Sequence, residues 1–221
     1  MTRAPQAGTS LISMMIGLVI SSVAILGLMS VFQAVAHSTA NAKDASSNDD
    51  QLTSSLLRAG MSLQDAGYGI SAPVFNTHIV LLTGAALSAP VAGGQTFSSG
   101  TVAAIGNTTP NAVVWTRQIS GGAIECAGLY APAVGGLQSL NAATCTNATD
   151  WSALSWKVST MVESPATNQF RSVIRFTAAA PAAGCQPYGI TTTGGLYTVS
   201  LSTTNSAGVT IPSLYCLLNF H

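Results

Sequence analysis

The sequence predicts an α+β fold in which one long N-terminal helix, membrane-spanning in its first half, packs on a head of antiparallel β-sheet. Three observations predict it: an uncharged apolar stretch near the N-terminus, a helical periodicity that follows it, and an alternating apolar pattern beyond Pro73. Only 6% of the 221 residues are charged, whereas soluble domains carry about 25%. The seven basic residues are scattered along the chain, so we expect no nucleic-acid partner.

The first element is an apolar helix over residues 9–36. The stretch Leu11–Ala36 contains neither a charged residue nor a proline. As a helix it would be about 39 Å long, enough to cross the ~30 Å hydrocarbon layer of a bilayer. We therefore predict a membrane-spanning helix. A buried helix of a soluble protein and a secretory signal cleaved around Ala34–Ala40 are the alternatives.

The helix continues as an amphipathic half over residues 37–67. Its apolar residues recur at steps of three and four and so share one stripe; they are Leu52, Leu56, Ala59, Leu63 and Ala66. The opposite face is polar and charged, so we expect the stripe to pack on the sheet. Glycines suit the left-handed turn past a helix end, and Gly67 and Gly69 predict the end here.

The remaining residues, 68–221, predict a β-rich head. Alternating apolar residues between Gly-, Pro- and Asn-rich breaks indicate short strands. The predicted strands cover residues 78–82, 101–105, 111–119, 154–161, 170–177, 196–202 and 213–219. In the fifth of these, Ile174 and Phe176 face one way and Arg175 the other, as expected of a half-buried antiparallel strand.

All four cysteines lie in the predicted head; they are Cys126, Cys145, Cys185 and Cys216. An even number in an exported chain indicates disulfides, and three pairings are possible. We favour Cys126–Cys145 with Cys185–Cys216, because neighbours in sequence close short loops. No two cysteines have the CxxC spacing typical of a zinc ribbon or a thioredoxin-like site.

The start of the chain carries a short polar segment, Met1–Gly8, that runs directly into the apolar helix. It resembles the class III leader of type IV prepilins. The resemblance implies that prepilin peptidase cuts after Gly8 and that Thr9 becomes a methylated N-terminus. It also implies that the first residues of the anchor and filament core are Leu11, Ile12, Ser13, Met14, Met15 and Gly17.

Two positions depart from that pattern. Prepilins usually have Phe where this chain has Thr9, and Glu where it has Ser13. In the family, that Glu pairs with the N-terminal ammonium of a neighbouring subunit, and Ser13 cannot supply the carboxylate. The departure suggests a place at the tip, where a subunit has no neighbour above it.

Three further segments resemble minor pilins of the PilW family. These are the helix end at residues 64–68 with its Ala-Gly-Tyr, the strand at residues 112–117, and a C-x-G turn at residues 125–128. Pilin heads commonly contain a disulfide in their C-terminal region, and a Cys185–Cys216 disulfide would match this feature.

The resemblance implies a minor pilin that primes a type IV pilus or occupies its tip. The implied partners are other pilins in a helical filament, an inner-membrane assembly platform, prepilin peptidase, and membrane lipid before assembly. The implied location is the inner membrane and then an extracellular pilus or a periplasmic pseudopilus. A minor pseudopilin of type II secretion is a close alternative.

We expect no enzyme, no cofactor and no metal. The head offers three carboxylates, Glu125, Asp150 and Glu163, and their spacing singles out no catalytic pair. No two histidines have metal-binding spacing. We expect the carboxylates to be solvated or paired with basic residues, the candidates being Arg117, Lys157, Arg171 and Arg175.

The aromatic residues of the head leave a second hypothesis open. They are Trp115, Trp151, Trp156, Tyr130, Tyr188 and Tyr197. We expect them to pack in the core. A patch that binds carbohydrate or a surface is the alternative, and it would make the chain a membrane-anchored adhesin or carbohydrate-binding protein.

Overall fold

The computed structural model describes residues 11–119, 121–141, 144–164, 173–186, 194–204 and 208–221. The chain forms two compact units, residues 1–46 and 47–221, which we describe separately. Helix α1, Leu11–Gln64, contributes to both units. The second unit combines the last part of α1 with antiparallel β-sheets, so the predicted α+β class is confirmed.

The second unit contains nine described strands in two sheets. Their bounds are β1 Ile79–Leu87, β2 Phe97–Val102, β3 Ala112–Gln118, β4 Ile124–Tyr130, β5 Leu137–Asn141, β6 Lys157–Val162, β7 Arg175–Ala179, β8 Tyr197–Thr204 and β9 Thr210–Leu217. One sheet has the order β2-β1-β3-β4-β5-β6 and the other β7-β8-β9, and all their pairings are antiparallel. A short 3₁₀-helix, Ala148–Ser152, lies between β5 and β6 in the chain.

The six-stranded sheet curls until its two edges meet. Gln95 precedes one edge strand, β2, and Trp156 precedes the other, β6. Their backbones exchange two hydrogen bonds, of 2.9 and 2.7 Å. The curled sheet encloses a core of its own, formed by Val80, Leu82, Ala85, Phe97, Ala112, Val114, Cys126, Tyr130, Leu140, Ala148 and Trp156. The contact also pairs backbone groups that an open sheet would leave exposed at its edges.

A second core lies between α1 and both sheets. The predicted helical stripe is at most 8% exposed at every position, from Leu52 to Ala66. It packs with the residues of β1 and β3 that face away from the curled interior and with residues of the three-stranded sheet. Examples are Leu81, Trp115 and Leu201. The prediction that the stripe packs on sheet is confirmed.

The strand predictions were wrong for three strands. The second strand lies at Phe97–Val102 rather than at 101–105, and β4 and β5 were not predicted. The expected C-x-G turn is the middle of β4. Position 128 requires a glycine, because an added Cβ would lie only 2.8 Å from the carbonyl oxygen of Val113 on the neighbouring strand. Residues 170–172 of the fifth predicted strand lie outside the described residues.

Candidate functional site

The first half of α1 presents apolar side chains on all sides. Sixteen large apolar residues between Leu11 and Val35 are more than half exposed. Burying one such side chain is worth about 1.5–3 kcal/mol, so this surface represents tens of kcal/mol of unrealised apolar burial. The helix is long and apolar enough to cross a membrane, and no residue in its most apolar stretch of 18 is buried within the protein.

Three serine hydroxyls in this half are bonded within the helix itself. Ser21 donates to the carbonyl oxygen of Gly17, Ser22 to that of Val19 and Ser30 to that of Gly27, each at 2.8 Å. A hydroxyl placed in hydrocarbon without a partner would be costly. These bonds therefore make the three hydroxyls compatible with an apolar medium.

The predicted processing residues, Gly8 and Thr9, lie outside the described residues. The predicted anchor residues occupy the first two turns of α1, and all of them are exposed; they are Leu11, Ile12, Ser13, Met14, Met15 and Gly17. An added Cβ at Gly17 or Gly27 meets no other atom of the described chain within 4 Å. The protein's own packing therefore does not explain these glycines.

Backbone hydrogen bonds join the residues just after α1 to strand β3. The N–H of Gly67 donates to the carbonyl oxygen of Thr116 at 2.9 Å, and that of Gln118 donates to Tyr68 at 2.7 Å. Gly67 and Gly69 have φ of +74° and +73°, in the left-handed region that glycine adopts freely. A Cβ at Gly69 would collide with the carbonyl oxygen of Gln118. Helix α1 ends at Gln64, three residues before the predicted end at Gly67, and the close approach to Gln118 explains the glycine at position 69.

Side chains reinforce this junction. Arg117 on β3 contacts Asp65 at 3.0 Å and Glu125 at 3.6 Å. The side-chain amide of Asn219 donates to the carbonyl oxygens of Gln64 and Ala66, at 3.0 and 2.8 Å, and so satisfies groups that a helix end leaves unpaired. The Glu125–Arg117 pair was among those expected, whereas no local sequence signal identified Asn219.

Tyr215 on β9 lies against the buried face of α1. Its hydroxyl donates to the carbonyl oxygen of Leu56 at 2.8 Å, and its ring occupies the space beside Gly60. Any larger residue at position 60 would overlap the ring. An isolated glycine inside a predicted helix is the sequence signal for such a close approach, and the predictions above do not include it.

The structure forms two disulfides, Cys126–Cys145 and Cys185–Cys216, which is the pairing favoured from the sequence. The first joins β4 to the segment before the 3₁₀-helix. The second joins β9 to the segment after β7. One disulfide therefore anchors a strand of each sheet.

The three carboxylates of the head differ in their partners and exposure. Glu125 pairs with Arg117, and Glu163 is exposed. Asp150 accepts the backbone N–H groups of Thr146 and Asn147 at 3.1 and 3.0 Å. Within the described residues, no group of three His, Cys, Asp or Glu side chains could hold a metal ion.

Two of the three tryptophans are core residues. Trp115 and Trp156 are at most 1% exposed, so neither can stack on an external ligand. Trp151 packs edge-on against Phe97 at a centroid distance of 5.6 Å. Tyr188 and Arg171 lie outside the described residues. The structure therefore favours the core role over the aromatic patch for the tryptophans.

No protein-family model, curated protein or solved structure matches this chain. We therefore infer function from α1 and from the unit that holds its second half.

Proposed function

We propose that this chain is a membrane-anchored structural subunit of the type IV pilin class, and that it acts as a minor pilin in pilus priming or at the pilus tip. One observation carries the proposal: a single helix combines a half that is apolar all round with a half that is buried on sheet. The first half suits lipid, and the second fixes a folded head to the same helix.

Assembly would move the first half of α1 from lipid into contact with other subunits. Apolar area stays covered in both states, so the exchange is close to neutral and an assembly motor can drive it. The internally bonded serines need no new partners in either state. Small residues such as Gly17, Ser21 and Gly27 allow a second helix to approach closely.

The N-terminus of the mature protein tests this proposal. Protein purified from membranes or filaments should begin at Thr9, and cells that lack prepilin peptidase should accumulate a form eight residues longer. A mature chain that begins at Met1 or near Ala40 would contradict the proposal. Deleting the gene should reduce piliation, whereas loss of protein secretion with normal piliation would identify a type II pseudopilin.

A second candidate function is carbohydrate binding by the head. It is favoured by a cleft of about 450 Å³ whose lining includes Gln95, Gln138, Glu163 and Tyr130. Side-chain amides and a carboxylate are groups that hydrogen-bond sugar hydroxyls. A glycan array probed with the full chain and with Gln138→Ala tests it: binding by the wild type and its loss in the variant are expected, and equal signals would contradict it.

A further inference from the structure

Strand β9 lies at one edge of the three-stranded sheet, and its outer side makes no backbone hydrogen bond in the described part of the chain. The opposite edge, β7, is paired. The N–H of Phe176 on β7 donates to the carbonyl oxygen of Pro110 at 3.0 Å, and the N–H of Gly106 donates to that of Ala178 at 2.8 Å. The edges of the six-stranded sheet meet each other. Strand β9 therefore differs from these edges in having no partner on its outer side.

The hydrogen bonds of β7 determine which backbone groups of β9 point outward. In an antiparallel sheet, successive residues of a strand turn their N–H and C=O groups to opposite sides. Phe176 and Ala178 turn theirs away from β8. Through the pairing registers, this alternation leaves the even-numbered residues of β9 facing outward. We call them the open edge; they are Thr210, Pro212, Leu214 and Cys216.

The open edge has the chemistry of a strand-pairing site. It presents the N–H groups of Leu214 and Cys216 and the carbonyl oxygens of all its residues. Pro212 has no N–H, and at an outward position this costs no hydrogen bond to β8. Exposed edges are usually protected by charged side chains, whereas Thr210–Leu217 contains none. An extended peptide can therefore pair with β9 through its own backbone.

A groove of about 460 Å³ beside β9 offers room for side chains of an added strand. Its walls are mainly apolar and come from α1, β8 and β9. Leu57 on α1 is 61% exposed and Ile211 on β9 is 43% exposed. Opposed side chains of paired strands lie about 4.5–5.5 Å apart, so alternate side chains of an added strand would cover these two residues. Among the described lining residues only Asp49 is charged, which favours an uncharged occupant.

We propose that β9 is a docking edge for an extended, uncharged strand of a different protein. That strand adds antiparallel to β9 and places alternate apolar side chains in the groove, while its backbone pairs with the open edge.

A second copy of the chain is a poorer occupant. When two β9 strands pair, the Pro212 of each copy has no N–H to give to a carbonyl oxygen of the other. The two-fold axis of an antiparallel pair also lies normal to the sheet and reverses the direction of α1 on that sheet. Subunits anchored in one membrane keep the same direction. This last step rests on the proposed function, whereas the argument from Pro212 does not.

A synthetic peptide tests the docking on the full chain in detergent micelles. The probe is a capped copy of β8, Tyr197–Thr204, which is uncharged and pairs with β9 in the protein itself. It should bind saturably and slow hydrogen exchange at the amides of Leu214 and Cys216 by at least about tenfold, measured by NMR. Without the peptide, these two amides should exchange faster than those of Ser213 and Tyr215, which face β8.

Two N-methylated peptides identify the edge that the probe uses. Methyl groups on the amides of Ser200 and Ser202 block the groups that would face the open edge and should abolish binding. Methyl groups on the amides of Val199 and Leu201 point away from β9 and should leave binding unchanged. Loss of binding with both peptides would indicate that the probe replaces β8 inside the sheet, which would overturn the docking.

A variant of the chain tests the same hydrogen bonds from the other side. Leu214→Pro removes an outward N–H and should weaken peptide binding by about tenfold or more, while the melting temperature stays unchanged. Leu214→Ala keeps the N–H and should bind nearly as well as the wild type.

Three results would overturn the proposal. They are absence of peptide binding, equal binding by the wild type and Leu214→Pro, and dimers of the full chain that Leu214→Pro dissociates. Each of them leaves the proposed function standing, because the peptide experiment does not depend on the mature N-terminus. Conversely, a mature chain that begins near Ala40 would contradict the proposed function without changing peptide binding.

Discussion

Gly60 offers a direct test of how α1 is held on the three-stranded sheet. In an ordinary helix interior, Gly→Ala stabilises by up to about 1 kcal/mol. Here the added methyl would collide with the ring of Tyr215, whose Cε1 is the nearest atom, with Cζ and Cδ1 at 2.6 and 2.7 Å. We therefore predict that Gly60→Ala destabilises the protein, against its helix propensity.

The magnitude follows from the contacts that must move. Overpacking of this kind costs about 1–3 kcal/mol. A displaced ring also loses the 2.8 Å hydrogen bond from its hydroxyl to Leu56, worth about 1 kcal/mol. The gain in helix propensity offsets part of these losses, so we expect the free energy of unfolding to fall by about 2 kcal/mol. For a chain of this size, that change lowers the melting temperature by roughly 4–8 °C.

Near-ultraviolet circular dichroism of the full chain in detergent micelles measures this unfolding. Gly17→Ala and Gly27→Ala are matched controls, because their added methyl groups meet nothing within 4 Å in the described chain, and they should melt at or above the wild-type temperature. In the double variant Gly60→Ala/Tyr215→Leu the two effects should be non-additive by about 1–2 kcal/mol. A Gly60→Ala protein as stable as the wild type would refute this account of the contact.

Asn219→Ala removes the donor to two helix-end carbonyls and should lower the free energy of unfolding by about 1–2 kcal/mol in urea titrations. Replacing Cys185 and Cys216 by Ala should cost about 4 kcal/mol for a separation of 31 residues, and the difference should vanish under reducing conditions. Burial raises the pKa of Tyr215 above the usual 10.0, so the unfolded chain loses this proton first. Stability should be full below about pH 10 and fall as pH rises through the folded pKa; a constant melting temperature across that range would contradict this.

The helix was predictable because its signals are local. The stripe from Leu52 to Ala66 follows the helical repeat, and glycines mark the helix end. Burial then follows from periodicity alone, since a face of apolar residues must be covered. The same reasoning identified Leu11–Ala36 as a candidate membrane span, because length and apolarity are read directly from the sequence.

The sheets were less predictable because their determinants are distant in sequence. In β4, Ala127 and Gly128 have low strand propensity, and only the neighbouring strand shows why a glycine is required at position 128. The meeting of the sheet edges depends on Gln95 and Trp156, which are far apart in the chain. Neither residue carries a local signal for that contact, and Asn219 carries none for its hydrogen bonds to the end of α1.

The serines of α1 show how one helix meets two environments. Ser21 in the apolar half donates to its own helix, at Gly17. Ser55 on the buried face instead donates to the carbonyl oxygen of Met161 on β6 at 2.7 Å. A hydroxyl bonded within its helix can pass from lipid to protein without breaking a hydrogen bond, whereas one bonded to a sheet holds the helix in place. The first half thus meets the physical requirement of a segment that changes its surroundings, and the second half that of a fixed attachment.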